Sequence, residues 1–161
     1  MFREMRLKKR QISEEAAEEL LKCASHGVLA VTGDEGYPYA VPVSFVYQDG
    51  KIYIHSALGG HKVDAVNQNG KVSFCVVERD DVVPDKLTTR YASAVAFGTA
   101  RVLTDAAQCE AAARLLAKKY GCHDEAIIEQ ELKRYAGKFC ILEISVEHLT
   151  GKSSLPPEAA K

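Results

Sequence analysis

At 161 residues the chain can bury roughly 70% of the surface it exposes when unfolded, so one domain with one core is expected. A net charge of −1 with 27% charged residues excludes the basic stripe of a nucleic-acid binder, and no run approaches the ~20 apolar residues of a membrane helix. The five cysteines, Cys23, Cys75, Cys109, Cys122 and Cys140, are odd in number and contain no Cys-x-x-Cys pair; this argues against a disulfide framework or a zinc site and for buried free thiols.

Residues 1–12 form a basic lead without an apolar h-region, as expected of a soluble cytoplasmic chain. Ser13 before Glu14 and Glu15 is an N-cap with an acidic first turn and predicts a helix to about residue 25. A strand over 27–32 and a turn over 33–36 follow. Two further strands, 39–47 and 51–56, are joined by the Asp-Gly signal at Asp49 and Gly50. Pro42 cannot donate to a ladder, so the first of them is expected at a sheet edge or a bulge.

Ile52 and Ile54 alternate with Tyr53 and His55, then Gly59-Gly60 leads into His61 and Lys62 and an apolar helical face of Val63, Ala65 and Val66. A helix is predicted over 60–67. Its first amides lack intrahelical partners, the glycines allow close backbone approach and Lys62 adds a charge, so the junction suits a phosphate. Gly-Gly turns beside a lysine are common, however, and most bind nothing.

Beyond it the pattern predicts a strand over 71–78, a charged loop over 79–88 and a long strand over 91–103. Asp105 and Gln108 have capping-box spacing before a helix over 106–120; a second helix is predicted over 125–135 and a last strand over 139–146. Residues 153–161 read as a loose tail. Strands joined mainly by hairpins, with helices inserted, predict a mainly β, α+β fold: an antiparallel barrel with peripheral helices. Ala92, Ser93, Ala94, Ala96 and Gly98 make one strand rich in small residues, which suits tight barrel packing or close approach of another backbone or a flat ligand. His26 reads as a cap or turn residue, His123 as a helix start and His148 as outward-facing; none has metal-ligand spacing.

Several of these segments together resemble the FMN-binding split β-barrel family related to pyridoxamine 5'-phosphate oxidase, and within it the nitroimidazole-resistance (Nim-type) proteins. They are Val41-Pro42-Val43-Ser44, His55-Ser56-Ala57 with Gly60-His61-Lys62, the entry at Asn69 to Phe74, the small-residue strand, and the ending around Leu149-Thr150-Gly151-Lys152. The resemblance spans about 15–152 and implies a split-barrel domain over 13–152 that binds FMN. It implies that Val41, Pro42, Val43 and Ser44 line the flavin ring, that His55, Ser56 and Ala57 lie along the ribityl and ring side, and that Gly60, His61 and Lys62 hold the phosphate. It further implies a homodimer with FMN at the subunit interface, to which the partner brings Ser93 and the segment Leu149, Thr150, Gly151 and Lys152.

The oxidase has arginines where this chain has Tyr39 and His61, so the phosphate cradle is less cationic here. The oxidase's C-terminal residues for pyridoxal phosphate have no match in 153–161, so pyridoxamine phosphate oxidation is not expected. The activity implied is electron transfer from NAD(P)H to a small electrophile such as a nitroaromatic, with His55 as the catalytic side chain that donates a proton or places substrate. His55 as a satisfied barrel histidine remains the competing reading. Two alternatives stay open: a flavin-binding or sensing module without turnover, and a haem-binding split barrel with His55, His61 or His148 as axial ligand.

Overall fold

The computed structural model describes residues 2–154, and residues 155–161 of the expected tail lie outside the described residues. In chain order the elements are β1 (Gln11–Ile12), α1 (Glu14–Cys23), β2 (Gly27–Thr32), β3 (Pro38–Val43), β4 (Val46–Gln48), β5 (Lys51–Ala57), α2 (His61–Gln68), β6 (Lys71–Val83), β7 (Thr88–Leu103), α3 (Ala106–Lys119), α4 (Glu125–Tyr135) and β8 (Phe139–Ser153). All ladders are antiparallel. They run in the order β3-β2-β6-β7-β8-β5-β4, with β1 added to the far end of β8.

The helices start where local chemistry places them. Side-chain oxygens of Ser13, Asp105 and Asp124 cap α1, α3 and α4 by accepting from first-turn amides. His123 therefore lies just before the helix it was expected to begin. The β4–β5 turn has positive φ at Asp49 (49°) and Gly50 (75°), the conformation an Asp-Gly hairpin requires.

Strand limits depart from expectation where the partner is distant. The predicted strand over 39–47 is two strands: β3 is one edge of the sheet, as Pro42 requires, and β4 is the opposite end. Ser44 and Phe45 carry the chain across. There the Phe45 amide donates to the Tyr120 hydroxyl at 3.0 Å, and that hydroxyl donates to the Ser25 carbonyl at 2.6 Å. A side chain from the end of α3 thus replaces the ladder partner, and this gap splits the barrel. Phe45 is wholly buried against Phe74 (4.7 Å between rings), with the Lys119 ammonium 3.7 Å above it. Burial pulls the Lys119 pKa down to about 8.

The expected charged loop over 79–88 is instead the end of a two-stranded arm. β6 continues past a bulge at Val77/Arg79 to Val83, and β7 begins at Thr88. An arm solvated on both faces has no need of apolar alternation, so charge did not signal a loop. β8 likewise runs beyond 146 to Ser153, because β7 and β1 supply partners there; Ser153 is buried and not part of a loose tail.

The barrel interior holds Leu21, Leu29, Phe45, Ile52, Ile54, Phe74, Val76, Leu142 and Ile144. Ala94, Ala96 and Ala100 of β7 face the same core, and a Cβ at Gly98 would lie 2.1 Å from the Ser145 carbonyl oxygen. These inward small residues of β7 therefore serve packing inside one chain, whereas Ser93 faces outward. A second apolar cluster, with Val46, Leu103, Ala112, Leu116 and Ile141, seats α3 on the outer face of β4, β5 and β8. Arg114 ties α3 to α4 through Glu125 and Glu129 and also pairs with Glu110 on its own helix. Cys109 and Cys140 are buried, Cys75 and Cys122 are half-buried and Cys23 is exposed, so the expectation of buried thiols fails at Cys23; all are free.

Candidate functional site

The strand β5 delivers the chain into the Gly59-Gly60 turn, where a Cβ at either glycine would meet open space. Gly60 has φ 118°, a conformation that favours glycine, and it stands as the N-cap of α2 with no side-chain cap. Its carbonyl accepts from the amides of Val63 and Asp64 at 2.8 and 3.1 Å. The amides of His61 and Lys62 precede the first intrahelical bond and are left facing outward at the positive end of the helix dipole.

The first two side chains of α2 are held differently. The His61 ring stacks on Tyr39 (4.0 Å between centroids, 17°), and its Nε2 lies 3.8 Å from an Asp34 carboxylate oxygen in the β2–β3 turn. Gly33 is needed beneath it, since a Cβ there would come within 2.9 Å of His61 Nε2. Lys62 is half-buried, and among the described residues no carboxylate pairs with it. Its field is felt at His55, whose pKa is lowered first by burial and then by Lys62. The imidazole is neutral near pH 7. It lies on the outer face of β5, 5.1 Å from the Phe139 ring.

The alternation of β5 separates neighbours that the family resemblance grouped. His55 and Ala57 face outward, whereas Ser56 is buried in the core with Ile52 and Ile54. On β3, Val41 and Val43 pack against the core, while Pro42, and Ser44 just beyond the strand, are exposed. The second group is also divided. The ladder pairs Ser93 with Lys152, Val95 with Thr150 and Ala96 with Leu149. Leu149 points into the core, and a Cβ on Gly151 would collide with Ile12 and Ala17 at 2.5 and 2.7 Å. The side chains of Ser56 and Leu149 are therefore not placed to line an external ligand. Thr150 donates to the Val95 carbonyl at 3.4 Å, and the Lys152 ammonium lies 5.1 Å over the Tyr91 ring.

Within one chain the two groups are well apart. His55 lies opposite Ile141 on β8, and Thr150 is nine residues further along that strand, about 30 Å at ~3.3 Å per residue. Of the other histidines, His26 is bonded to the Ser25 hydroxyl at 3.0 Å, and His148 stacks under Phe2 at 4.7 Å. The lead therefore lies against the barrel. Asp34 as the neighbour of His61 had no signal in the sequence, because the contact joins separate turns. No helix among the described residues is long and apolar enough to cross a membrane.

The model of the pyridoxamine 5'-phosphate oxidase family matches residues 13–153, and the chain belongs to that family. A protein from Bacteroides thetaiotaomicron named for 5-nitroimidazole antibiotic resistance is 21% identical, with TM-score 0.73, over 88% of this chain and 85% of that one. An FAD- and haem-binding protein from Mycobacterium smegmatis is 22% identical, with TM-score 0.74, over 91% of this chain and 74% of that one. The Azotobacter vinelandii flavocytochrome Anf3 reaches TM-score 0.79 at 14% identity, over 96% of this chain and 73% of that one. These likenesses establish the split-barrel fold. No curated protein matches the sequence.

Proposed function

We propose that the chain is an FMN-binding oxidoreductase that passes electrons from NAD(P)H to a small electrophile such as a nitroaromatic or quinone. The observation that carries the reading is the start of α2, where Gly60 leaves the helix without a side-chain cap and Lys62, among the described residues, pairs with no carboxylate. In a family that takes its name from a flavin oxidase, such an anion site matches the FMN phosphate. Structural neighbours named for FAD support a flavin in this fold.

The residues present fit that group. The His61 and Lys62 amides and the Lys62 ammonium would hold the phosphate, with His61 held off by its stack on Tyr39 and by Asp34. Pro42, exposed on an edge strand, and Ser44 just beyond its end would face the ring together with His55 and Ala57. Bound FMN would supply two-electron chemistry between the nicotinamide and the electrophile. His55, neutral near pH 7, would donate an N–H hydrogen bond to an acceptor oxygen and so orient the substrate.

The separation of Ser93, Thr150 and Lys152 from this group supports a homodimer in which the partner completes each site. Outward apolar residues of β6 and β7, Val77 and Phe97, are 54% and 37% exposed and suit such a seam. The purified protein should show flavin bands near roughly 370 and 450 nm, sediment at about twice 17.6 kDa, and oxidise NADH or NADPH in the presence of an acceptor. A colourless protein that takes up no FMN on titration refutes the reading. A Soret band would select the haem alternative, and bound flavin without nicotinamide oxidation would leave a binding module.

A further inference from the structure

Between α3, α4 and the outer face of β5 and β8 lies a cavity of about 350 Å³. Its walls are mostly apolar and include Ala117, Ile128, Leu132 and Phe139, with His55 at one side and Glu131 at another. It does not belong to the barrel core, and neither the phosphate turn nor β3 contributes to it. Its volume is at the small end of the range for ligand cavities, about 300–1,000 Å³, and suits one or two fused rings. The walls are held in place, since Arg114 bonds Glu110 of α3 and Glu125 and Glu129 of α4.

We propose that this cavity binds the electron acceptor, and that the acceptor class it selects is a neutral one- or two-ring compound bearing a hydrogen-bond-accepting oxygen. The ring character follows from the apolar walls and the aromatic face of Phe139. The oxygen follows from His55, the cavity's nitrogen donor, which also faces the proposed flavin site and would bring the reducible group to their common edge. The neutrality follows from Glu131. Its carboxylate opposes an anionic ligand, and its partner Arg134, at 3.5 Å, compensates it only in part. The role as acceptor site rests on the oxidoreductase reading above, but binding to the cavity does not.

The test is equilibrium dialysis of the full chain, flavin-loaded and flavin-free, with 1-nitronaphthalene as the neutral probe and 2-naphthoate as its anionic counterpart. The neutral probe should bind saturably and more tightly than the anion. Glu131→Gln should narrow that gap, and Ala117→Phe, which fills the cavity, should weaken the neutral probe by about tenfold or more. In parallel, methyl resonances of Ile128 and Leu132 in the unmodified protein should shift with the probe while those of Ile52 and Ile54 in the barrel stay fixed, a readout that holds even if Ala117→Phe does not fold. Absence of saturable binding, equal affinity for the anion, a folded Ala117→Phe protein with undiminished affinity, or shifts confined to the barrel would each overturn the proposal. Flavin uptake is measured separately on the same samples. Probe binding without flavin uptake refutes the oxidoreductase reading and leaves the cavity; flavin uptake without probe binding does the reverse.

Discussion

Replacing Lys62 by alanine separates a phosphate site from an ordinary helix start. Lys62 lies on the first turn of an uncapped helix, and among the described residues it has no carboxylate partner. Its removal should therefore leave the fold nearly unchanged. If the ammonium holds a phosphate, the loss is that of a hydrogen bond to a charged group, about 1.5–3 kcal/mol, or roughly 10- to 150-fold in the FMN dissociation constant. Asp34 provides the opposite perturbation. Its carboxylate is 81% exposed and 3.8 Å from His61 Nε2, so Asp34→Asn should tighten FMN by only about 0.2–1 kcal/mol, the range for an exposed pair. That gain should fade as salt shortens the Debye length from about 10 Å at 0.1 M toward 3 Å at 1 M. Fluorescence titration of FMN into apo-protein measures both, with riboflavin, which lacks the phosphate, as control. Equal FMN affinity for Lys62→Ala and the parent, or an equal loss of riboflavin affinity, refutes the assignment.

Further outcomes are expected at His55, Glu143 and the proposed seam. His55→Ala should lower turnover by about 10²-fold with a smaller loss of FMN affinity; a loss confined to FMN affinity would make His55 a flavin-holding residue. Because the folded-state pKa of His55 lies below its ordinary 6.5, the folded protein holds fewer protons there than the unfolded chain. Its contribution to stability is present above about pH 6.5 and is lost as pH falls toward the lower folded value, so His55→Gln should flatten that part of a denaturation-versus-pH curve. Glu143 is buried between Lys51 and Arg101 at 3.0 and 2.7 Å, and its pKa is held below 4.5 by those hydrogen bonds, against the opposing and larger single effect of burial. Glu143→Gln should cost about 1.5–3 kcal/mol near neutral pH by urea titration and remove the stability that the parent loses as pH falls below about 4.5. Finally, Ala94→Arg should unfold the chain, since Ala94 is 1% exposed and an unpaired buried charge costs about 3–5 kcal/mol, whereas Phe97→Asp should give a folded monomer by sedimentation; an unchanged dimer would place the seam elsewhere.

What could be read in the sequence was whatever chemistry is local. Ser13, Asp105 and Asp124 cap helices with amides two or three residues away, and Asp49-Gly50 sets its own turn, so these elements fall within a few residues of expectation. Strand ends depend on a neighbour. β8 continues to Ser153 because Ala92 of β7 lies beside it, and the break at Ser44–Phe45 exists because Tyr120, 75 residues from Phe45, satisfies the backbone there. No property of residues 39–47 contains that information. The candidate site divides in the same way. The Gly-Gly turn and the first turn of α2 are contiguous and were legible, whereas the cavity beside His55 takes its walls from α3 and α4, more than fifty residues away in the chain.

The alternation of β5 was legible too, and it limits what family resemblance can transfer. Ile52, Ile54 and Ser56 share one face of the strand and Tyr53, His55 and Ala57 the other, so a motif that groups His55 with Ser56 groups two sides of a sheet. The same period divides Thr150 and Lys152 from Leu149 and Gly151, and Ser93 from Ala92 and Ala94. Only the outward members can touch a ligand with their side chains, and they form two groups about 30 Å apart along a strand. A rigid antiparallel sheet cannot fold one group onto the other. A ligand that contacts both therefore needs two chains, so disrupting association without unfolding, as expected of Phe97→Asp, should also weaken FMN binding while Lys62 remains intact.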